Sequence, residues 1–140
     1  LWAGPHAEYH GDFVDFEPAT CSPRPVNGDI PVIVGGDSDA AVRRAARIAD
    51  GYFPGEGNAD RLAGLITRVK QATEDAGRDP AKLEINAMFG AQFADPAAGV
   101  AQMDSLGVDR IMVPAFFFAG DGGLDRMEKF AEIVMPLATS

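Results

Sequence analysis

The sequence predicts an α/β fold in which parallel strands alternate with helices. Three observations carry that expectation. Short β-branched or apolar runs are closed by glycine or proline, apolar residues recur at helical spacing after them, and the alternation repeats four times between residues 31 and 140.

Residues 1–30 precede this pattern and are rich in turn formers, including Gly4, Pro5, Gly11, Pro18, Pro23, Pro25 and Gly28. Only Phe13-Val14-Asp15-Phe16 alternates, so the segment reads as irregular chain with one small strand. Pro31-Val32-Ile33-Val34, closed by Gly35-Gly36, reads as a buried strand and tight turn. A helix follows, with Asp37 or Ser38 as its cap and Val42, Ala45, Ala46 and Ala49 on its apolar face, until Asp50-Gly51 stops it. Tyr52-Phe53 is a short second strand. The loop Pro54-Gly55-Glu56-Gly57-Asn58 leads into a helix whose stripe is Leu62, Leu65, Ile66, Val69 and Ala76, with Gly77 as its stop. Leu83 to Phe89 alternates as a third strand. Asp95-Pro96 is a cap followed by proline at the first helical position, Val100, Met103 and Leu106 face inward, and Gly107 ends that helix. Arg110 to Pro114 is the fourth strand. Leu124, Met127, Phe130, Ala131 and Val134 form the last apolar face, ended by Pro136.

At 140 residues with 46% apolar content, the chain can bury an ordered core. Its 12 basic and 21 acidic residues give a net charge of −9, which excludes a nucleic-acid or anionic-membrane surface as the expected partner. No apolar run approaches a membrane span. Cys21 is the only cysteine, so no internal disulfide or cysteine-based zinc site is expected, and a reducing, cytoplasmic setting fits. The first residue is Leu1 and no leader-like segment follows, so the sequence reads as a piece of something longer.

Four β-α units are compatible with a small doubly wound sheet or with half of an eight-unit barrel. No Gly-x-Gly-x-x-Gly or Walker sequence occurs in the linking loops, which favours the half-barrel.

Pro-Val-Ile-Val-Gly-Gly-Asp-Ser at 31–38, Arg43-Arg44-Ala45-Ala46-Arg47 and Asp50-Gly51-Tyr52 together resemble the C-terminal half of the bacterial luciferase-like superfamily. Gly11-Asp12-Phe13, Pro23-Arg24-Pro25-Val26, Ala76-Gly77-Arg78-Asp79-Pro80 and Gly107-Val108-Asp109-Arg110 extend the resemblance along nearly the whole chain. It implies a partial domain over 1–140: strands five to eight of a TIM (β/α)8 barrel in 31–140, after an insertion in 1–30. It also implies an oxidoreductase that uses coenzyme F420, or alternatively FMN, for hydride transfer or monooxygenation of a small organic substrate. The family draws catalytic positions from the half absent here, so no catalytic residue is assigned and the fragment alone is expected to be inactive. The alternative is a non-catalytic half-barrel that binds a phosphate-bearing or flavin-type ligand. Its inner face and strand edges need cover from a second copy, as a homo-oligomer, or from the missing N-terminal half.

Gly35-Gly36 opens directly into a helix, whose free amides and positive dipole end suit a phosphate, with a plain strand-to-helix turn as the alternative that the residues alone favour. The resemblance assigns cofactor binding to Gly35, Gly36 and Ser38. Asp37 opposes this, because a carboxylate about 6 Å from a phosphate repels it by about 3 kcal/mol at an effective dielectric near 20. It must point away or be neutralised, and Arg43 and Arg44 are candidates for neutralising it. Tyr52 and Asn58 flank the loop at the barrel's ligand-binding face and are expected to line substrate, while core packing is the alternative for Tyr52. Glu56 reads as a solvated loop charge. Gly120-Asp121-Gly122-Gly123 is a competing candidate for an anion turn, opposed by Asp121 and more simply read as a flexible connection, and Phe116-Phe117-Phe118 is expected to wall a pocket or cover the barrel mouth. His6 and His10 have metal-ligand spacing only on a helix, which Pro5 and Gly11 oppose, so no metal is assigned.

Overall fold

The four apolar runs form one parallel sheet in the computed structural model, which describes Trp2, Gly4 and residues 6–137. Strands β3 (Ile33–Gly35), β4 (Gly51–Phe53), β5 (Glu84–Met88) and β6 (Arg110–Met112) lie side by side in chain order, each pair parallel. This order separates the two architectures that the sequence leaves open. A doubly wound sheet reverses direction at a switch point, whereas here every crossover steps the same way. The helices therefore cover one side of the sheet.

Strand alternation sorts the side chains accordingly. Val34, Tyr52, Ile85, Ala87 and Ile111 pack into a single core with Val42, Ala45, Leu62, Leu65, Ile66, Val69 and Met103. Ile33, Phe53, Glu84, Asn86, Met88, Arg110 and Met112 alternate onto the opposite side, where Ile33 and Met112 remain 41% and 47% exposed. At the start of β4 only glycine fits, because a Cβ on Gly51 would stand 2.6 Å from Ile33 Cδ1 and 2.9 Å from the Glu84 carbonyl.

Helix α1 (Asp39–Ile48) begins at Ser38, whose Oγ accepts from Ala41 N at 3.2 Å. Helix α2 (Ala59–Asp75) begins at Asn58, whose side chain accepts from Arg61 N at 3.1 Å. Its stripe ends on Thr73 rather than Ala76. Ala76 is the exposed C-cap, one turn beyond the sheet-facing residues, while buried Thr73 donates its hydroxyl to the Val69 carbonyl at 2.7 Å. Helix α3 (Pro96–Ser105) has Asp95 as its cap and Pro96 in its first position, as expected. Gly77 and Gly107 both take φ +73, and the amides of Arg78 and Val108 return to the carbonyls of Thr73 and Met103 at 3.0 and 3.1 Å. Each is the longer of the two closing bonds of a left-handed helix stop, the shorter running from Gly77 N to Glu74 O and from Gly107 N to Asp104 O. Helix α4 (Gly123–Val134) buries Val134 and half-buries Phe130 and Ala131, but Leu124 and Met127 stay 71% and 44% exposed. Their expected inward orientation is not realised, because the aromatic residues that meet this helix engage it at Phe130.

Residues Leu1–Pro31 and Val32–Ser140 make two compact units. The first contains an antiparallel hairpin of β1 (Ala7–His10) and β2 (Asp15–Ala19), with Tyr9 opposite Phe16 and His10 opposite Asp15. The one strand expected at Phe13–Phe16 is realised only in Asp15 and Phe16, as the start of β2, while Phe13 and Val14 lie outside it and Phe13 is fully exposed. Ala-Glu-Tyr-His has too little apolar alternation to announce itself, and its partner supplies the pairing.

At the N-terminal ends of the β3–β6 strands, carboxylates pin the register. Asp50 accepts from Val32 N at 2.8 Å, and Asp109 accepts from Ile85 N at 2.7 Å. Arg78 spans from the end of α2 to the end of α1, donating to the carbonyls of Ala46 at 2.8 Å and Ala49 at 2.6 Å, with a longer contact of 3.3 Å to Ala45.

Candidate functional site

The Gly35–Ser38 turn lies where β3 ends and α1 begins, and all four of its residues are exposed. Ser38 Oγ accepts from Ala41 N and the Ser38 carbonyl accepts from Val42 N, which closes the first turn of the helix. The preceding amides of Asp37, Ser38, Asp39 and Ala40 have no acceptor among the described residues. A run of unpaired amides at the positive end of a helix is a ready anion cradle. The Ser38 hydroxyl proton is not used by the Ala41 bond and is free to donate outward. Gly36 contributes shape rather than a donor, since its own amide donates to Phe53 O at 3.2 Å. It takes φ +113, and a Cβ there would come 3.2 Å from the Ala41 Cβ.

Asp37 is turned aside: its carboxylate accepts from Gly55 N at 2.8 Å, in the loop after β4. The next carboxylate, Asp39, forms an ion pair with Arg68 of α2. Arg43 and Arg44, the expected compensators, instead stay exposed with Arg47 and Ile48 around a surface hollow. Helical spacing carries them away from the first turn; Asp37 is met by the Gly55 amide rather than by a cation, and Arg68 of the neighbouring helix pairs with Asp39.

Tyr52 is wholly buried, and its hydroxyl donates to the Gly36 carbonyl at 2.7 Å. It has no exposed surface with which to line a substrate and instead supports the turn from below. Burial pushes its hydroxyl above the ordinary tyrosine value, the Asp37 charge adds to the rise, and Arg68 opposes it. Asn58 is exposed at the end of the 54–58 loop, where its side-chain oxygen caps α2. Glu56 is bound within this loop rather than simply solvated: it accepts from Asn58 N at 2.8 Å and pairs with Arg61 at 2.9 Å.

The competing turn at Gly120–Gly123 is closed on itself. Gly123 N donates to Gly120 O at 3.1 Å, and Arg126 donates to the carbonyls of Phe117, Ala119 and Asp121 at 3.3, 2.6 and 2.9 Å. Its nearest cation thus serves the loop itself. Of the three phenylalanines, Phe117 stacks on Phe93 at 4.3 Å and Phe118 meets Phe93 and Phe130 edge-on, while Phe116 is 70% exposed. Two of them are packing residues, and one presents an apolar surface at the C-terminal ends of the strands.

On the open side of the sheet, Arg110 donates to both carboxylate oxygens of Glu84 at 2.9 and 3.1 Å, and Asn86 adds a bond of 3.0 Å. The Arg110 guanidinium beside Glu84 holds its carboxyl below the usual carboxylate range. Sequence reading did not single out this trio, because its members are joined only by strand register. His10 pairs with Asp15 and His6 contacts the Thr20 hydroxyl across the hairpin. Among the described residues no three His, Cys, Asp or Glu side chains are grouped as metal ligands, and no helix is long and apolar enough to cross a membrane.

Comparison with known proteins gives a family context. The model of the luciferase-like monooxygenase family matches residues 1–112. An uncharacterized protein of Mycobacterium tuberculosis is 39% identical over 114 residues, 81% of this chain and 38% of that protein. The F420-dependent glucose-6-phosphate dehydrogenase of Nakamurella multipartita is 34% identical over 80 residues, 56% of this chain and 23% of the enzyme. The pyrimidine monooxygenase RutA of Escherichia coli is 35% identical over 82 residues, 56% of this chain and 22% of that protein. The chain thus spans less than two-fifths of the length of these relatives. Among solved structures, the monooxygenase RslO1 of Streptomyces bottropensis superposes with a TM-score of 0.68 at 17% identity, covering 97% of this chain and 57% of that one. The coenzyme F420 dependent tetrahydromethanopterin reductase of Methanopyrus kandleri gives 0.53 at 21% identity, covering 95% of this chain and 38% of that one. These two likenesses concern the fold, in which the sheet and helices described above form part of a luciferase-like barrel.

Proposed function

Because this chain belongs to the luciferase-like monooxygenase family, we propose that it forms the cofactor-phosphate side of a cytoplasmic oxidoreductase acting on a small organic substrate. Coenzyme F420 is the cofactor we favour, since two of the similar proteins carry it in their names, and FMN is the alternative. The observation that carries this reading is the exposed Gly35–Ser38 turn, with four successive amides lacking an acceptor among the described residues.

The residues present fit a phosphate. The amides of residues 37–40 and the Ser38 hydroxyl would hold it, Gly35 and Gly36 leave its approach clear, and Asp37 is withdrawn onto Gly55. When bound, the cofactor supplies hydride transfer or, as a reduced flavin, oxygen activation. The chain's own part is to anchor and orient. Asn58 and the exposed Phe116 sit at the same end of the sheet, on the ligand-binding side of a barrel, and would border the substrate. Catalytic residues are assigned to the portion of the barrel that this chain does not span.

Absorbance and fluorescence titration of the full-length protein with F420 and with FMN tests this. F420 is expected to bind more tightly, and Gly36→Asp is expected to weaken binding at least tenfold by placing a charge and a strained side chain in the turn. Unchanged affinity would move the phosphate elsewhere. The open side of the sheet favours a second reading, in which this unit associates with another barrel half or a second copy of itself. Light scattering of the 140-residue chain should show self-association if the cover is a second copy, and a compact monomer would remove that form of the reading.

A further inference from the structure

Resting on the reading of the Gly35–Ser38 turn as a phosphate site, we propose that Tyr52 is a positioning residue for it. Its buried hydroxyl fixes the peptide unit between Gly36 and Asp37 so that the Asp37 amide faces the phosphate.

In a trans unit the carbonyl and the amide hydrogen are rigidly coplanar and point in opposite directions, so fixing one aims the other. The Gly36 carbonyl accepts from Tyr52 Oη at 2.7 Å, and Tyr52 is 0% exposed, so this carbonyl points into the core. The amide of Asp37, the other half of the same unit, must then point out of the core at an exposed turn, where it has no acceptor among the described residues. Gly36 permits this orientation with φ +113, a conformation L side chains rarely adopt. Without the phenolic donor the unit is free to turn over. A carbonyl oxygen would then occupy the place of a donor, and an anion would meet a dipole of the wrong sign.

Two other bonds from the same neighbouring segment support the arrangement. Phe53 O receives the Gly36 amide at 3.2 Å, and Gly55 N draws the Asp37 carboxylate away at 2.8 Å. The segment from Tyr52 to Gly55 therefore acts on three successive groups of the turn: the Gly36 amide, the Gly36 carbonyl and the Asp37 side chain. A tyrosine retained only for packing has no need of this aim. Its hydroxyl would serve equally well on any buried acceptor, and its loss would weaken all ligands alike.

Ligand pairs that differ in phosphate separate the two roles. The full-length protein and its Tyr52→Phe variant are titrated with FMN against riboflavin, which differ by the phosphate alone, and with F420 against its deazariboflavin core, which lacks the phosphate together with the tail beyond it. The wild type is expected to prefer at least one phosphate-bearing member by tenfold or more. In Tyr52→Phe that preference should shrink at least fivefold, while affinity for the phosphate-free partner stays within twofold. In the wild type, the Asp37 amide resonance should move when the phosphate-bearing ligand binds and stay in place with its phosphate-free partner. No phosphate preference in the wild type overturns the underlying reading of the turn. A preference that survives intact in Tyr52→Phe overturns the role given to Tyr52. If the variant does not fold, the wild-type amide decides the matter, and an Asp37 resonance indifferent to phosphate rejects the proposal.

Discussion

Replacing Arg78 by alanine should destabilise the protein through a helix in which Arg78 does not lie. Helix α1 ends without a glycine: its C-cap Ala49 is extended at ψ 151, so the left-handed closing bonds that finish α2 and α3 are unavailable. The carbonyls of Ala46 and Ala49, residues that are 1% and 0% exposed, are served by the Arg78 guanidinium at 2.8 and 2.6 Å. A hydrogen bond from a charged donor contributes about 1.5–3 kcal/mol, discounted here to about 1 kcal/mol each because the arginine is only half-buried. Its charge at the negative end of the helix adds about 0.5 kcal/mol. The sum, about 2–3 kcal/mol, corresponds at a urea m value near 2 kcal/mol per molar to a midpoint lowered by about 1–1.5 M. Arg78→Lys keeps the charge and loses the fork, so it should recover about half of the loss. Urea unfolding followed by circular dichroism measures both variants. A midpoint shift under about 0.25 M for Arg78→Ala, or a lysine variant equal to wild type, would refute the assignment of a forked cap.

Two further outcomes follow from the packing and the open-face ion pair. Gly99→Ala should cost about 1–3 kcal/mol by overpacking, because a Cβ there would stand 2.6 Å from Gln92 Cβ and 2.7 Å from Phe89 Cζ; a thermal melt equal to wild type would show that α3 shifts freely. Glu84 has its carboxyl lowered chiefly by the Arg110 hydrogen bonds, so its contribution is present above its unfolded value near 4.5 and is lost as pH falls through the folded one. Glu84→Gln should therefore lower the melting temperature at neutral pH and converge with wild type as the pH falls through the lowered folded value, whereas a difference independent of pH would remove the ion pair as its cause.

What the sequence made legible was local. Ser38, Asp95-Pro96, Gly77 and Gly107 mark helix ends because caps and stops act within four residues, and the stripe from Leu62 to Val69 needs only the helical period. The Gly35–Ser38 turn was legible for the same reason. Its supports were not. Tyr52 reaches Gly36 across 16 positions, Asp37 reaches Gly55 across 18, and Arg78 reaches Ala49 across 29, distances that only strand register and helix docking can close. Asp37 shows the limit clearly: electrostatics alone required it to turn away from an anion, but the amide that receives it becomes visible only once β3 and β4 are paired. The same holds for the Glu84–Arg110 pair, whose members face each other through the register of β5 against β6.

These long-range bonds divide by the end of the sheet at which they lie. At the N-terminal ends of the strands, Asp50, Asp109 and Arg78 each engage backbone groups, and all three act to hold strand register or to finish a helix. At the C-terminal ends, Arg126 and Glu56 fasten their own loops, while Tyr52 and Asp37 act on a turn in which the amides of Asp37 and Ser38 are left without acceptors among the described residues. The bonds at that end hold the shape of the turn and leave its donors exposed. Donors fixed in this way need little reorganisation when an anion arrives, which is the physical advantage of building the cradle from backbone. It also fits an acidic chain. For the phosphate role proposed above, a net charge of −9 offers no general long-range attraction, so the affinity would rest on short-range amides held in place beforehand.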